Sequence, residues 1–395
     1  MTDQTASKLV FMHLPKTGGT SLHTMLGASF EPWETCPERF NNLTRWDQAD
    51  LNGFRYFSGH FDWENIECLQ GPKKVITMLR DPADRIISLY YYWRAHSHKA
   101  IVKDGLNGPK MAKSLDLVDF LKCREAGIPS AINNVLTRTL IGSVTRDAVR
   151  FDAVSSPKDA LDAAFERAKG LTAVGFMEAM DRSVAQIFDK LGLEVPSEIP
   201  HDRNSKDPDE VKRQGLRYGK KFPITAEVED ELYRLTKVDA RLHTRILQHM
   251  WPETDLRSPV DFNASSAATA NLTRGWHNPE KEGAWMKGIE GRLDFRLRPT
   301  AKYTKIGFVV SAFLPDDSLE MTCTITREDG RSISQNFSST QKSATIPMIV
   351  NSELITGKLN TLSFKVETDK SFSPKDFGAK DQRQLSVKLH RIIPL

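Results

Sequence analysis

Cysteine is scarce in this chain: four in 395 residues, at Cys36, Cys68, Cys123 and Cys323, with no CxxC spacing. That excludes a zinc ribbon and a disulfide framework, leaving at most a Cys36–Cys68 pair in an oxidising compartment and, more simply, free thiols. Long apolar runs are lacking too, and none approaches the roughly 20 residues of a membrane span. The first residues, MTDQTASKLVF, carry no basic-then-apolar secretion pattern, so the chain reads as soluble and cytoplasmic. Without secretion the sequons at Asn42, Asn263, Asn271 and Asn336 carry no meaning. Charge of one sign is weak: a net +4 allows a local anion site but no nucleic-acid coat. There is no internal repeat and no Walker A string, which would place its lysine after the glycines.

What is present is ordinary globular composition, 27% charged and 39% hydrophobic, in a length that suits two domains. Residues 1–255 mix strand and helix patterns. Short apolar runs at 9–14, 54–60, 73–79 and 171–176 read as buried strands. Helical spacing runs through Leu22, Met25 and Leu26 and again after Asp81-Pro82, where Asp81 is a natural N-cap and Pro82 a natural first residue. Further helices are expected over 114–126, 129–141, 157–169, 177–191 and 225–250. Residues 28–53 are polar, rich in turn formers and without a strong period, and 200–221 reads as a charged loop or lid. Strands alternating with helices imply an α/β fold with a mainly parallel sheet. Residues 256–272, small and polar, read as a linker. Beyond it, 273–395 carries alternating strand-length segments, among them KIGFVVSAFLP, LEMTCTITRED and QLSVKLHRIIPL, and reads as an all-β sandwich.

The segment KLVFMHLPKTGGTSLHTMLG, residues 8–27, organises the first domain. A strand, a glycine turn and a helix N-terminus make an anion cradle, with converging backbone N–H groups, a favourable helix dipole and the full charge of Lys16. The candidate ligands of the anion are Pro15, Lys16, Thr17, Gly18, Gly19, Thr20 and Ser21. Because Lys16 precedes both glycines, and no strand ending in a metal-binding aspartate follows, the loop is expected to hold a phosphate-like group without a metal.

HLPKTGGTSL resembles the 5′-phosphosulfate loop of sulfotransferases that use 3′-phosphoadenosine 5′-phosphosulfate (PAPS), in particular the carbohydrate branch that includes heparan sulfate 2-O- and 6-O-sulfotransferases. TMLRDPADRIISLYYYW resembles that family's 3′-phosphate site, a strand ending in arginine with a serine eight residues on, here Arg80 and Ser88. A guanidinium there forks two N–H groups onto phosphate oxygens. YFSGHFDW resembles the segment carrying the catalytic base, which puts the base at His60; histidine matches proton abstraction near neutral pH. His13 is its rival, and Asp62 or Glu64 could orient His60 or replace it. His96 and His98 read as surface groups. Asp62, Trp63, Asn134 and Arg138 are the candidate acceptor contacts. Asn134 and Arg138 share a helix face, where Arg138 meets either an acidic sugar or solvent. LTAVGFMEAM resembles the strand that leads the chain past the adenine, with Arg203, Asn204, Ser205 and Lys206 as candidates for further contacts.

The resemblance covers about residues 8–250 and implies a P-loop-like sulfotransferase fold. It also implies transfer of a sulfuryl group from PAPS to a carbohydrate hydroxyl, with desulfated PAP as the product. The family's Golgi members carry a membrane anchor that this chain lacks, which implies a bacterial-type soluble enzyme. The tail's LTRGWHNPEKEGAWMKG resembles β-sandwich modules of bacterial polysaccharide-biosynthesis proteins. Trp276 and Trp285 either stack on sugars or anchor the core. The competing functions are a P-loop phosphotransferase and a non-catalytic carbohydrate-binding scaffold. Neither the acceptor's identity nor the oligomeric state is legible.

Overall fold

The computed structural model describes residues 7–142, 157–196, 199, 216–298, 305–350 and 359–395. They form two compact units, Met1–Met250 and Trp251–Leu395. The candidate nucleotide contacts Arg203, Asn204, Ser205 and Lys206 lie outside the described residues.

The first unit is built on a four-stranded, wholly parallel sheet. Its strands are β1 (Lys8–Met12), β2 (Tyr56–Gly59), β3 (Lys73–Leu79) and β4 (Ala173–Phe176), in the order β2-β1-β3-β4. Each strand is buried along nearly its whole length, as the unbroken apolar runs require when both faces of a sheet are covered. Leu22, Met25 and Leu26 of the Gly19–Gly27 helix and Val184, Ile187 and Phe188 of the Met180–Leu191 helix pack with Leu9, Phe11, Ile76 and Met78 in one core. A second core joins the Pro82–Ala95 helix to Phe120, Leu121, Ile128 and Ile132 and to the 25-residue Ala226–Met250 helix.

The expected helix over 129–141 is two helices, Ile128–Ile132 and Val135–Ile141. The break is at Asn134, whose φ of 42° no helix tolerates. Its side chain enters the neighbouring long helix. The Asn134 N–H donates to Leu235 O at 2.8 Å, and its Oδ1 accepts from the N–H groups of Val238 and Asp239 at 3.0 and 3.1 Å. Asp239 answers by accepting from the N–H groups of Leu136 and Thr137 and the Thr137 hydroxyl, capping the second short helix. Asn134→Ala should therefore lower unfolding stability by about 2 kcal/mol, because buried donors lose their acceptor; a denaturant titration reads the shift.

The second unit holds two antiparallel sheets. One runs β11 (Ser332–Phe337), β10 (Met321–Arg327), β13 (Thr361–Thr368), β8 (Glu290–Arg296), β6 (Leu272–Arg274). The other runs β12 (Ser343–Ile349), β9 (Lys305–Ala312), β14 (Leu385–Pro394), β5 (Val260–Asp261), with β7 (Ala284–Lys287) also on β14. Alternate residues of β10 and β13 point inward, the period-2 pattern of a sheet with one buried face. Phe308 of one sheet meets Phe364 of the other at 5.0 Å, edge to face, inside a shared core, an arrangement consistent with a β-sandwich.

Residues 256–272 do not behave as a linker. Leu256, Val260 and Phe262 are buried in the core shared by the two sheets, and β5 pairs with the last strand across 130 residues of sequence (Asp261↔Arg391). The small polar residues around them occupy the turns and the short 3-10 helix Ala267–Asn271. Trp276 donates its Nε1–H to Arg292 O and packs on the core, so it anchors the sheet. Trp285 sits edge-on to Phe313, with Lys388 Nζ 4.8 Å from its ring centre.

Candidate active site

In a parallel sheet every strand ends at the same edge, and the loops leaving that edge share one crevice. The register here pairs Met12 with Gly59 and with Thr77. The residues that follow, His13 to Gly19, His60 and Arg80, are thereby delivered side by side from three adjacent strands. Arg80 Nη1 donates to Lys16 O across the gap, at a long 3.4 Å.

The 13–21 loop has the backbone of an anion cradle. Lys16 and Gly18 take φ of 70° and 78°, and Gly19 starts the helix. The N-cap residue of that helix, Gly18, offers no side chain to the leading N–H groups, and the first turn carries no acidic residue, the arrangement of an anion-binding helix start. Thr17 is buried and donates its hydroxyl to Leu14 O at 2.8 Å, holding the turn closed. Ser21 is buried and Thr20 exposed. A Cβ on Gly19 would stand 2.1 Å from the His13 ring, so only glycine lets the loop pass that imidazole. Lys16 holds its ammonium 4.0 Å from the centre of the Tyr92 ring. Tyr92 lies one helical turn beyond Ser88, so that contact turns the Ser88 face of the Pro82–Ala95 helix toward the loop. Asp81 caps this helix by accepting from Asp84 N–H at 2.9 Å, with Pro82 first inside it.

His60 stands opposite. Its Nδ1 is 2.7 Å from the carbonyl oxygen of His13, and a carbonyl only accepts. The proton therefore sits on Nδ1, and in the neutral ring Nε2 carries the free lone pair, the tautomer a base needs. The His60 N–H donates to Arg39 O at 2.8 Å. Burial lowers the His60 pKa from its usual value; the hydrogen bond to His13 O works against this, and the charge of Arg39 adds to it. His13, its ring 4.7 Å from that of His60 and stacked on Phe11, is held further below the usual range, first by burial and then by the cations and imidazoles around it. His13 is packed into the loop against Gly19.

Two residues absent from the sequence-based set, Arg39 and His23, complete this wall, and a third, Tyr92, meets Lys16. The Arg39 guanidinium lies against His23, with Nη1 2.7 Å from Nδ1 and 2.8 Å from Nε2, and His23 Nδ1 also lies 2.9 Å from Ser58 Oγ. Burial, then Arg39, pushes the His23 pKa down to about 4. Nothing in the local sequence around Arg39 marks it. It arrives because 34–36 run beside β2, through Cys36 N–H to Tyr56 O and Arg55 N–H to Glu34 O. Tyr92 could have been found, since its i+4 spacing from Ser88 is in the sequence.

Other candidates serve the frame. Asp62 is buried and caps the Trp63–Glu67 helix, accepting from the Asn65 backbone and side chain at 3.1 and 3.0 Å, so it does not orient His60. Trp63 donates to Glu67 and lies under Arg167. Arg138 is fully buried and donates to Asn133 O at 2.8 Å and Ser130 O at 2.5 Å. The reading of it as facing an acidic sugar or solvent is replaced by a structural role, as is that of Asn134 near the acceptor.

The loop, His60 and Arg80 all fall within the residues that one family model matches. Residues 8–127 match the model of the sulfotransferase domain. The sulfotransferase match thus spans β1 to β3 and ends before β4 and the long helix. No curated protein matches the chain. Among solved structures, a Cry1Da tryptic core variant from Bacillus thuringiensis is 14% identical, covering 29% of this chain and 18% of its own, at a TM-score of 0.18. Latent PorU from Porphyromonas gingivalis is 12% identical, over 34% of this chain and 12% of its own, at 0.20. A xylan-binding module, CBM15, is 13% identical, over 35% of this chain and 92% of its own, also at 0.20. The chain therefore spans less than a fifth of the first two, and at such scores these likenesses support no statement about fold or ligand. Among the described residues no helix is long and apolar enough to cross a membrane.

Proposed function

We propose that the first unit transfers a sulfuryl group from PAPS to a hydroxyl of a carbohydrate acceptor. The observation that carries this reading is the convergence of three features on one sheet edge: an uncapped helix N-terminus behind Lys16, Arg80 bonded to the same loop, and a histidine with its lone pair on Nε2. The residues fit the donor. The loop backbone of 17–20 and Lys16 would hold the 5′-phosphosulfate, and Arg80 and Ser88 the 3′-phosphate, with a guanidinium for the doubly charged group.

When bound, the donor supplies an activated sulfuryl group, transferred with formation of the acceptor O–S bond and cleavage of the S–O bond to the 5′-phosphate. His60 Nε2 takes the hydroxyl proton as the oxygen gains its bond to sulfur. Lys16 and the first N–H groups of the helix balance the negative charge left on the 5′-phosphate oxygen. No acidic side chain sits in the helix's first turn to oppose that charge.

Transfer of labelled sulfate from PAPS, screened over a panel of neutral and acidic glycans, tests the reading; a product labelled on a glycan supports it, and ATP-dependent phosphorylation instead would replace it. The pH dependence is a second check. A lowered His60 pKa keeps the ring neutral in more acidic solution, so the acid limb of kcat/KM should have its midpoint below pH 6.5. A midpoint above that value would contradict His60, in its present surroundings of His13, Arg39 and Phe40, as the base.

A further inference from the structure

Phe40 is one of several large apolar side chains that the first unit leaves exposed, and its ring faces that of His60. Its ring is 65% exposed, yet the loop that carries it is firmly held. The Phe40 N–H donates to Glu38 Oε1 at 2.8 Å, and Glu38 Oε2 accepts from Trp46 Nε1 at 3.2 Å. On either side, Arg39 O accepts from His60 N–H and Asn41 Oδ1 accepts from Asp62 N–H, both at 2.8 Å. The ring centre lies 6.4 Å from that of His60, tilted by 55°. A ring held by its backbone beside His60 offers an apolar face to a ligand at that site.

We propose that Phe40 is the stacking platform for the acceptor sugar, a specificity-determining residue that lays the C–H face of a pyranose ring against its own and so aims one hydroxyl at His60 Nε2. This rests on the sulfotransferase reading. Aromatic rings present a broad apolar face at little conformational cost, which suits a ring with C–H groups on one side and hydroxyls at its edge. An open groove of about 410 Å3 lies along the same loop, lined by Glu38, Asn42, Arg45, Trp46, Asp47 and Asp50. Its carboxylates and amide offer acceptors and donors to hydroxyls of further sugar units.

The test is steady-state kinetics of the full chain with whichever glycan the wild type sulfates, alongside melting temperatures with PAP. Phe40→Ala should raise the acceptor KM at least tenfold, with PAP stabilisation unchanged. Phe40→Tyr and Phe40→Trp should restore KM to within about threefold, which a ring needed only for folding at that size would not allow for Trp. An Ala variant with unaltered KM beside an active wild type overturns this inference alone, as does loss of PAP stabilisation together with KM. A wild type that labels no glycan while PAP still stabilises it overturns the carbohydrate reading on which the inference rests.

Discussion

His60→Ala should abolish sulfuryl transfer while leaving the affinity for PAP near that of the wild type. The imidazole donates one hydrogen bond, to His13 O, beside its ring contacts with His13 and Phe40, and its backbone N–H bond to Arg39 O survives the substitution. Truncation therefore removes the proton acceptor without dismantling the cradle. General-base removal costs roughly 10²- to 10⁴-fold. Asp62 is committed to a helix cap, and His13 is wedged against Gly19. Calorimetric titration with PAP beside a transfer assay separates the outcomes. Loss of PAP binding would make His60 a structural residue.

Lys16→Ala should cut turnover by well over tenfold with the fold intact. Lys16 sits at a positive φ, where alanine is no less strained, so the change removes the ammonium and little else from the loop. The lost cation is the one full charge contributed by the loop itself, opposite an oxygen that gains charge as the bond to sulfur breaks. The Tyr92 ring loses its cation but keeps its place, its edge against His96 at 5.0 Å. Circular dichroism should be unchanged; full turnover in this variant would remove Lys16 from the mechanism.

The parts of this molecule that could be read from sequence are those specified within a few neighbouring residues. The strand at 73–79, the Asp81-Pro82 helix start and the glycine loop each follow from local composition, and the structure places them as expected. Short strands whose partners lie far away were not legible. Val260 and Phe262 sit among alanines and serines, and only pairing with a strand 130 residues on makes them core. Asn134 reads as a helix residue until the long helix it penetrates is in place. Arg39 and Phe40 lie in a stretch without period, and their position beside His60 comes from backbone hydrogen bonds to β2 and to His60 itself. Sequence thus marked the loop and His60, and tertiary pairing built the wall around them.

The central claim is that the edge formed by β1, β2 and β3 holds a 3′-phosphorylated adenine nucleotide. The most direct measurement is the melting temperature of the full chain with PAP, with 5′-AMP and with ATP and magnesium, each at saturating concentration. A ligand that binds only the native state must stabilise it. The account predicts a rise of several degrees with PAP, a much smaller one with 5′-AMP, which lacks the group that Arg80 and Ser88 would hold, and loss of the difference in Arg80→Ala. Equal stabilisation by PAP and 5′-AMP, or stabilisation by ATP and magnesium alone, would contradict it.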